Sequence, residues 1–204
     1  LLVVVSSAIG SLTNPNKLQK TFKSVNQSKI TATTITKYIE YLEDAFLIEE
    51  ASRYDIKGKS YIGTPVKYYF MDMGLRNSRI NYRQMEETHS MENVIYNELR
   101  MRGFSVDVGN LTVVENSKDG TTIKKQLEVD FICNKGSKKY YIQSAYILGT
   151  AEKMAQEIRP FLKINDSFKK IVITSDTPKP FYSEEGILMM NVFDFLLNAD
   201  SLDL

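Results

Sequence analysis

LEVDFICNKGSKKYYIQSAY, residues 127–146, decides how the second half of this chain is read. Apolar, β-branched and aromatic residues crowd both arms, and Lys135-Gly136-Ser137 between them is good turn chemistry. The run therefore predicts two neighbouring strands, over 124–133 and 139–148. Upstream, residues 104–114 predict a further strand, with Asn116 to Gly120 as the turn that follows it. A helix from Met91 to Arg102 precedes the three, with Met91, Val94, Ile95 and Leu99 on one side and Gly103 at its end. Beyond them the pattern predicts a helix over 150–163, an apolar strand from Lys170 to Thr174, a strand over 187–191 and a short helix over 192–198.

The first half reads differently. Leu1 to Ser11 predicts a short apolar helix ending at Gly10, which tolerates a left-handed cap. Pro15 suits the first turn of a second helix with Leu18, Phe22 and Val25 on one face. Thr31 is a reasonable N-cap for a third, whose apolar stripe runs through Ile35, Ile39, Leu42 and Phe46. Strands over 47–54 and 60–70 follow, joined by Lys57-Gly58-Lys59, and Pro65 predicts an edge or a bulge in the second.

Three helices and a basic-tipped hairpin make a winged-helix plan. Arg53, Lys57, Lys59 and Lys67 are the candidate DNA contacts on that hairpin. Glu40, Glu43 and Asp44 near the end of the third helix would repel a phosphate backbone. Two readings stay open for this module, DNA contact and a purely structural connector.

Composition bounds the rest. Of 204 residues, 43% are hydrophobic and 25% charged, the balance of an ordinary globular chain. Residues 1–84 carry twelve Lys/Arg against seven Asp/Glu, and residues 85–204 fourteen against eighteen. The sign of the charge changes near 84, inside the polar stretch GLRNSRINYRQ, so we expect two domains, 1–84 and 85–204. A single cysteine, Cys133, excludes an internal disulfide and fits a reducing cytoplasm. The apolar run Leu1 to Ile9 is too short to span a membrane, and a chain that starts at Leu1 reads as a fragment or a processed product.

The order helix, three strands, helix, strand resembles the core of the PD-(D/E)xK nuclease superfamily, also called restriction-endonuclease-like. The resulting fold class is α/β (α+β), a winged helix followed by an αβββαβ core. Such enzymes place an acid on the second strand, another on the third and a lysine two positions later, and the acids hold Mg²⁺. Mapped residue by residue, the first-helix acid falls on Glu92, the second-strand acid on Asp130, the third-strand acid on Gln143 and the lysine on Ala145. An amide is a poor magnesium ligand and alanine has no amine, so these are degenerate-site positions and no catalytic residue is assigned. Glu128 and Asp130 are the remaining metal candidates, with Lys125 and Lys153 as lysines that could have migrated. His89, the only histidine, has no metal partner in sequence.

YIEYLEDAFLIEEASRYDIKGKSYIGTPVKYYFMDMGLRN (38–77), ENVIYNEL (92–99) and the opening stretch 127–146 together resemble AAA-type ATPases of bacteria and archaea. IRPFLKI and GILMMNVFDFLL match the same family, in which a nucleotide-binding domain precedes a C-terminal domain of unknown function (the 4143 family). The resemblance implies that this chain is a C-terminal, non-ATPase region, with ATP and Mg²⁺ belonging to an upstream domain that would be its partner. No GxxxxGK[ST] loop occurs in these 204 residues, so no cofactor is expected on the chain itself. A regulatory, partner-recognition or nucleic-acid-recognition role with a catalytically degenerate nuclease-like domain leads. DNA binding with residual metal-dependent nuclease activity is the alternative.

Overall fold

A computed structural model describes residues 1–26, 29–83, 85–116 and 121–204. The fold class is mixed α/β, with seven α-helices and an eight-stranded sheet among the described residues. Its strands, β1 (Ile48–Asp55), β2 (Ser60–Phe70), β3 (Ser105–Asn116), β4 (Thr122–Lys135), β5 (Lys138–Ala145), β6 (Lys169–Thr174), β7 (Phe181–Tyr182) and β8 (Leu188–Asn191), are hydrogen-bonded in the order β2-β1-β3-β4-β5-β6-β8-β7. The chain divides into two compact units, each discontinuous in sequence: Leu1–Ser52 with Gly63–Asn97, and Arg53–Ile62 with Glu98–Leu204. The tip of the hairpin therefore belongs to the second unit, and the first part of the long helix to the first. No described helix is long and apolar enough to cross a membrane.

In the first unit, α1 (Leu2–Ser7) stops short of Gly10, which adopts φ 69°. α2 (Pro15–Asn26) follows, and then α3 (Ala32–Asp44), where the Thr31 side chain accepts the Thr34 N–H as an N-cap does. Val5, Ile9, Leu18, Phe22, Ile35 and Ile39 fill one core with Ile48 of β1 (Ile48–Asp55) and Val66, Tyr68 and Phe70 of β2 (Ser60–Phe70). Two expected core residues lie outside it. Val25 is 71% exposed, and Phe46, beyond the end of α3 at φ 54°, is 81% exposed. Pro65 sits in a β2 that ends the strand order, and the Thr64-Pro65 bond is cis.

The polar stretch in which the domain boundary is expected begins within a helix, α4 (Met73–Arg79). Asp72 caps it through the Leu75 N–H at 2.8 Å. Arg76 is 1% exposed and its Nε donates to the Ser6 carbonyl at 3.0 Å, supplying the acceptor that a buried guanidinium needs. α5 (Glu87–Met101) follows, and its early part is held to β2 by Asn93, which accepts from Phe70 N and donates to Phe70 O.

In the second unit, β3 (Ser105–Asn116) pairs parallel with the end of β1 and antiparallel with β4 (Thr122–Lys135). The expected turn over Asn116 to Gly120 lies outside the described residues from 117 on. β4 pairs antiparallel with β5 (Lys138–Ala145), which runs parallel to β6 (Lys169–Thr174). α6 (Ala151–Ile158) and a 3-10 turn at Phe161–Lys163 cross between them, where one helix over 150–163 is the sequence expectation. β7 (Phe181–Tyr182), β8 (Leu188–Asn191) and α7 (Val192–Leu197) complete the unit. Leu111, Val113, Val129, Ile132, Tyr141 and Val172 make a core on the face covered by Ile158, Phe161 and Ile164.

Candidate functional site

Asp130 sits on a β-bulge. Asp107 is opposite Ile132 and Gly109 is opposite Val129, so three steps on β4 match two on β3. Val129 and Ile132, three residues apart, consequently pack into the same core. The β4–β5 ladder runs from Lys135↔Lys138 to Phe131↔Ile142, and beyond that pair side chains take over. The Asp130 carboxylate accepts the Ser144 backbone N–H at 2.9 Å. The Gln143 side-chain oxygen accepts the Asp130 N–H at 3.4 Å, and its amide donates to Glu157 on α6 at 3.3 Å.

Burial raises the pKa of Glu157, and Gln143 and Lys153 offset part of that shift. Ala145 is buried in the core and presents only a methyl group. The structure thus brings Asp130, Gln143 and Ala145 to adjoining strand positions and adds Glu157, which the sequence reading missed. Its signal was present: Glu157 lies three residues after Met154 and four before Phe161, on the stripe that meets the core. Among the described residues no three His, Cys, Asp or Glu side chains gather as a metal set.

Glu128 stands opposite Asn110. Of the lysines considered as replacements, Lys125 pairs with Glu115 at 3.1 Å, and Lys153 lies on α6 one turn before Glu157.

Glu92 occupies a separate cluster, in the first unit. Its Oε1 accepts from Lys67 Nζ at 2.8 Å and from the Tyr69 hydroxyl at 2.7 Å, while His89 Nδ1 lies 3.7 Å from Oε2. Burial works against the charge on Glu92. Lys67, His89 and Tyr69 outweigh it and hold the carboxyl below its ordinary range. Gly10 closes over this cluster: a Cβ there would stand 2.6 Å from His89 Nδ1 and 3.1 Å from Glu92 Oε2. Glu92 is thereby a packed member of a hydrogen-bonded core.

The cationic hairpin needs correction at two of its four positions. Lys67 is 3% exposed and engaged with Glu92, and Arg53 is 7% exposed with Nη2 donating to Asn110 Oδ1 at 2.7 Å. Neither side chain is presented to an outside phosphate. Lys57 and Lys59 are exposed at the tip. Asp55 Oδ1 accepts from Lys57 N and Gly58 N, Lys59 adopts φ 53°, and Ile56 N donates to Asn110 O at 3.0 Å, which fixes the tip against β3.

Comparison with known proteins finds relatives without a stated activity. An "Uncharacterized protein" of Haemophilus influenzae is 34% identical over 200 residues, covering 97% of this chain and 45% of that protein. An "Uncharacterized protein" of Methanocaldococcus jannaschii is 29% identical over 184 residues, covering 87% of this chain and 36% of its own length. The chain spans less than half the length of these curated relatives. No solved structure matches. Residues 1–86 match a family described as a domain of unknown function, DUF8612.

Proposed function

We propose that this chain is the C-terminal, non-ATPase region of an AAA-type ATP-binding protein. In this reading it is a regulatory or partner-recognition part whose nuclease-like unit no longer does chemistry. The order α5-β3-β4-β5-α6-β6 supports the nuclease-like comparison, and α1 to α3 followed by the β1–β2 hairpin supports the winged-helix one. The observation that carries the reading is the use made of Asp130 and Gln143. The Asp130 side chain ties β4 to β5 and the Gln143 side chain links β5 to β4 and α6, where a metal-dependent cutter needs free acids. Ala145 supplies no ammonium to place near a water.

A magnesium ion does not fit this donor set. Two carboxylates, Asp130 and Glu157, are separated by an amide that hydrogen-bonds toward both residues, whereas Mg²⁺ requires close octahedral oxygen geometry. No reaction step is assigned. ATP and its Mg²⁺ belong, on this reading, to the upstream ATPase domain.

Calorimetric titration with Mg²⁺ and Mn²⁺, and incubation with supercoiled, single-stranded and branched DNA, test the proposal. The expected result is no heat of specific binding and uncut DNA. Metal-dependent cutting that disappears in Asp130→Ala would sink it. A second reading, nucleic-acid binding through the hairpin tip, is favoured by the exposure of Lys57 and Lys59. It needs no catalysis and is compatible with the first.

A further inference from the structure

We infer that the second unit carries a binding face for the phosphate backbone of a nucleic acid, in which Lys163 acts together with Lys57 and Lys59. The inference rests on the hairpin reading above and deepens it, because it names a cation that lies about a hundred residues away in sequence. Ile56, Lys57, Lys59, Leu111, Lys163, Ile164, Asn165 and Asp166 line one open depression of about 260 Å³. Ile56, Leu111 and Ile164 form its recessed apolar floor, and the three lysines are exposed around it.

Two features make these amines available. Among the described residues, none of the three has a carboxylate within ion-pair distance. The nearby carboxylates direct their oxygens to other donors: Asp166, at the depression, accepts from the Tyr141 hydroxyl at 2.6 Å and from Phe168 N at 3.2 Å, and Asp55 accepts the two tip N–H groups. Both lysine-bearing segments are anchored by their neighbours. Phe161 and Ile164, on either side of Lys163, are buried in the core, and Ile56 is hydrogen-bonded to β3.

Three lysine point charges on two fixed supports suit neutralisation of successive phosphates without base readout. Lysine lacks the planar fork that arginine uses for bidentate recognition, so the face binds by charge. The apolar floor can take a sugar face between phosphates. Contacts of this kind make affinity fall steeply with salt, about 0.9 in the log–log slope per phosphate on duplex DNA.

The test is fluorescence anisotropy of the whole 204-residue chain with a labelled duplex, and with one of its strands, at several salt concentrations. Three contacts predict a duplex slope of about −2.7, or about 40-fold weaker binding between 50 and 200 mM salt. Lys163→Gln should reduce that slope by about 1, and Lys57→Gln and Lys59→Gln should do the same. Lys179→Gln, an exposed lysine outside the depression, is the charge control.

Loss in the hairpin variants with Lys163→Gln equal to the control would overturn this inference and leave the hairpin reading standing. No binding by the unmodified chain would remove both. Binding to phosphatidylserine vesicles in place of DNA would assign the amines to a membrane surface and overturn the inference as well. Thermal melting of each variant separates a charge effect from a folding defect.

Discussion

Lys67 Nζ lies 2.8 Å from Glu92 Oε1, and both side chains are almost wholly buried. The Tyr69 hydroxyl reaches the same carboxylate oxygen, and the Tyr69 ring stacks on Tyr96 at 4.1 Å between centroids. The pair ties β2 to α5 within the first unit, so two residues that looked like separate surface functions in sequence form one structural link. Removing one member leaves an uncompensated buried charge, which costs about 3–5 kcal/mol. Lys67→Met and Glu92→Gln should each destabilise the chain by that order in urea unfolding. The double variant should be less destabilised than the sum of the two, since it leaves no orphan charge. Additive effects would show that the ion pair carries no coupling.

His89 gives the same cluster a pH dependence. Its close approach to the Glu92 carboxylate, 3.7 Å from Nδ1, raises its pKa, burial opposes the rise, and the charge of Glu86 reinforces it against Lys67. A raised folded-state pKa means that protonation stabilises the fold. That contribution is complete below the ordinary histidine value of about 6.5 and is lost as pH climbs through the higher folded value. Melting temperature should therefore fall across this range in the parent chain relative to His89→Gln. A difference between the two that is constant with pH would remove His89 from the account. Glu92 has the opposite sign: its lowered pKa contributes stability that is present above 4.5 and lost on further acidification.

Much of the fold was legible because local rules agreed with tertiary packing. Thr31 caps α3, and Ile35 and Ile39 on its stripe are buried as their spacing requires. The strands on either side of Lys135-Gly136-Ser137 also formed near the expected bounds. What failed was the inference that the charged side chains of Arg53 and Lys67 face outward, and Arg76, for which no role was expected, is buried likewise. Arg53, Lys67 and Arg76 are buried because Asn110, Glu92 and the Ser6 carbonyl accept from them, across 57, 25 and 70 residues of chain. No local window contains those partners. The Asp130 bulge was illegible for a related reason, since an alternating strand and a bulged one have the same composition and only the opposite strand reveals the extra residue.

Gly109 is where that bulge presses on β3. A Cβ at this position would stand 2.8 Å from the Val129 Cβ, 3.1 Å from Ile56 Cδ1 and 3.2 Å from Ile132 Cδ1. The first distance is shorter than carbon atoms tolerate, and it involves an atom fixed to the backbone. Gly109→Ala should destabilise by about 1–3 kcal/mol through overpacking. Val129→Ala should not rescue it, because alanine keeps the offending Cβ. Full stability in Gly109→Ala would show that the strands part here without strain.

Asp130 separates a structural carboxylate from a catalytic remnant. Its Oδ2 accepts the buried Ser144 N–H just past the end of the β4–β5 ladder, doing what a strand carbonyl would have done. Asparagine can still offer an oxygen there and alanine cannot. Asp130→Ala leaves a buried donor unpaired, at about 1–3 kcal/mol. Asp130→Asn should keep more than half of that stability in a urea titration monitored by circular dichroism. A metal-holding aspartate would behave otherwise, with both variants abolishing any divalent-ion effect on the melting temperature. Equal destabilisation by Asn and Ala would show that the carboxylate is held for its charge and not for the Ser144 hydrogen bond.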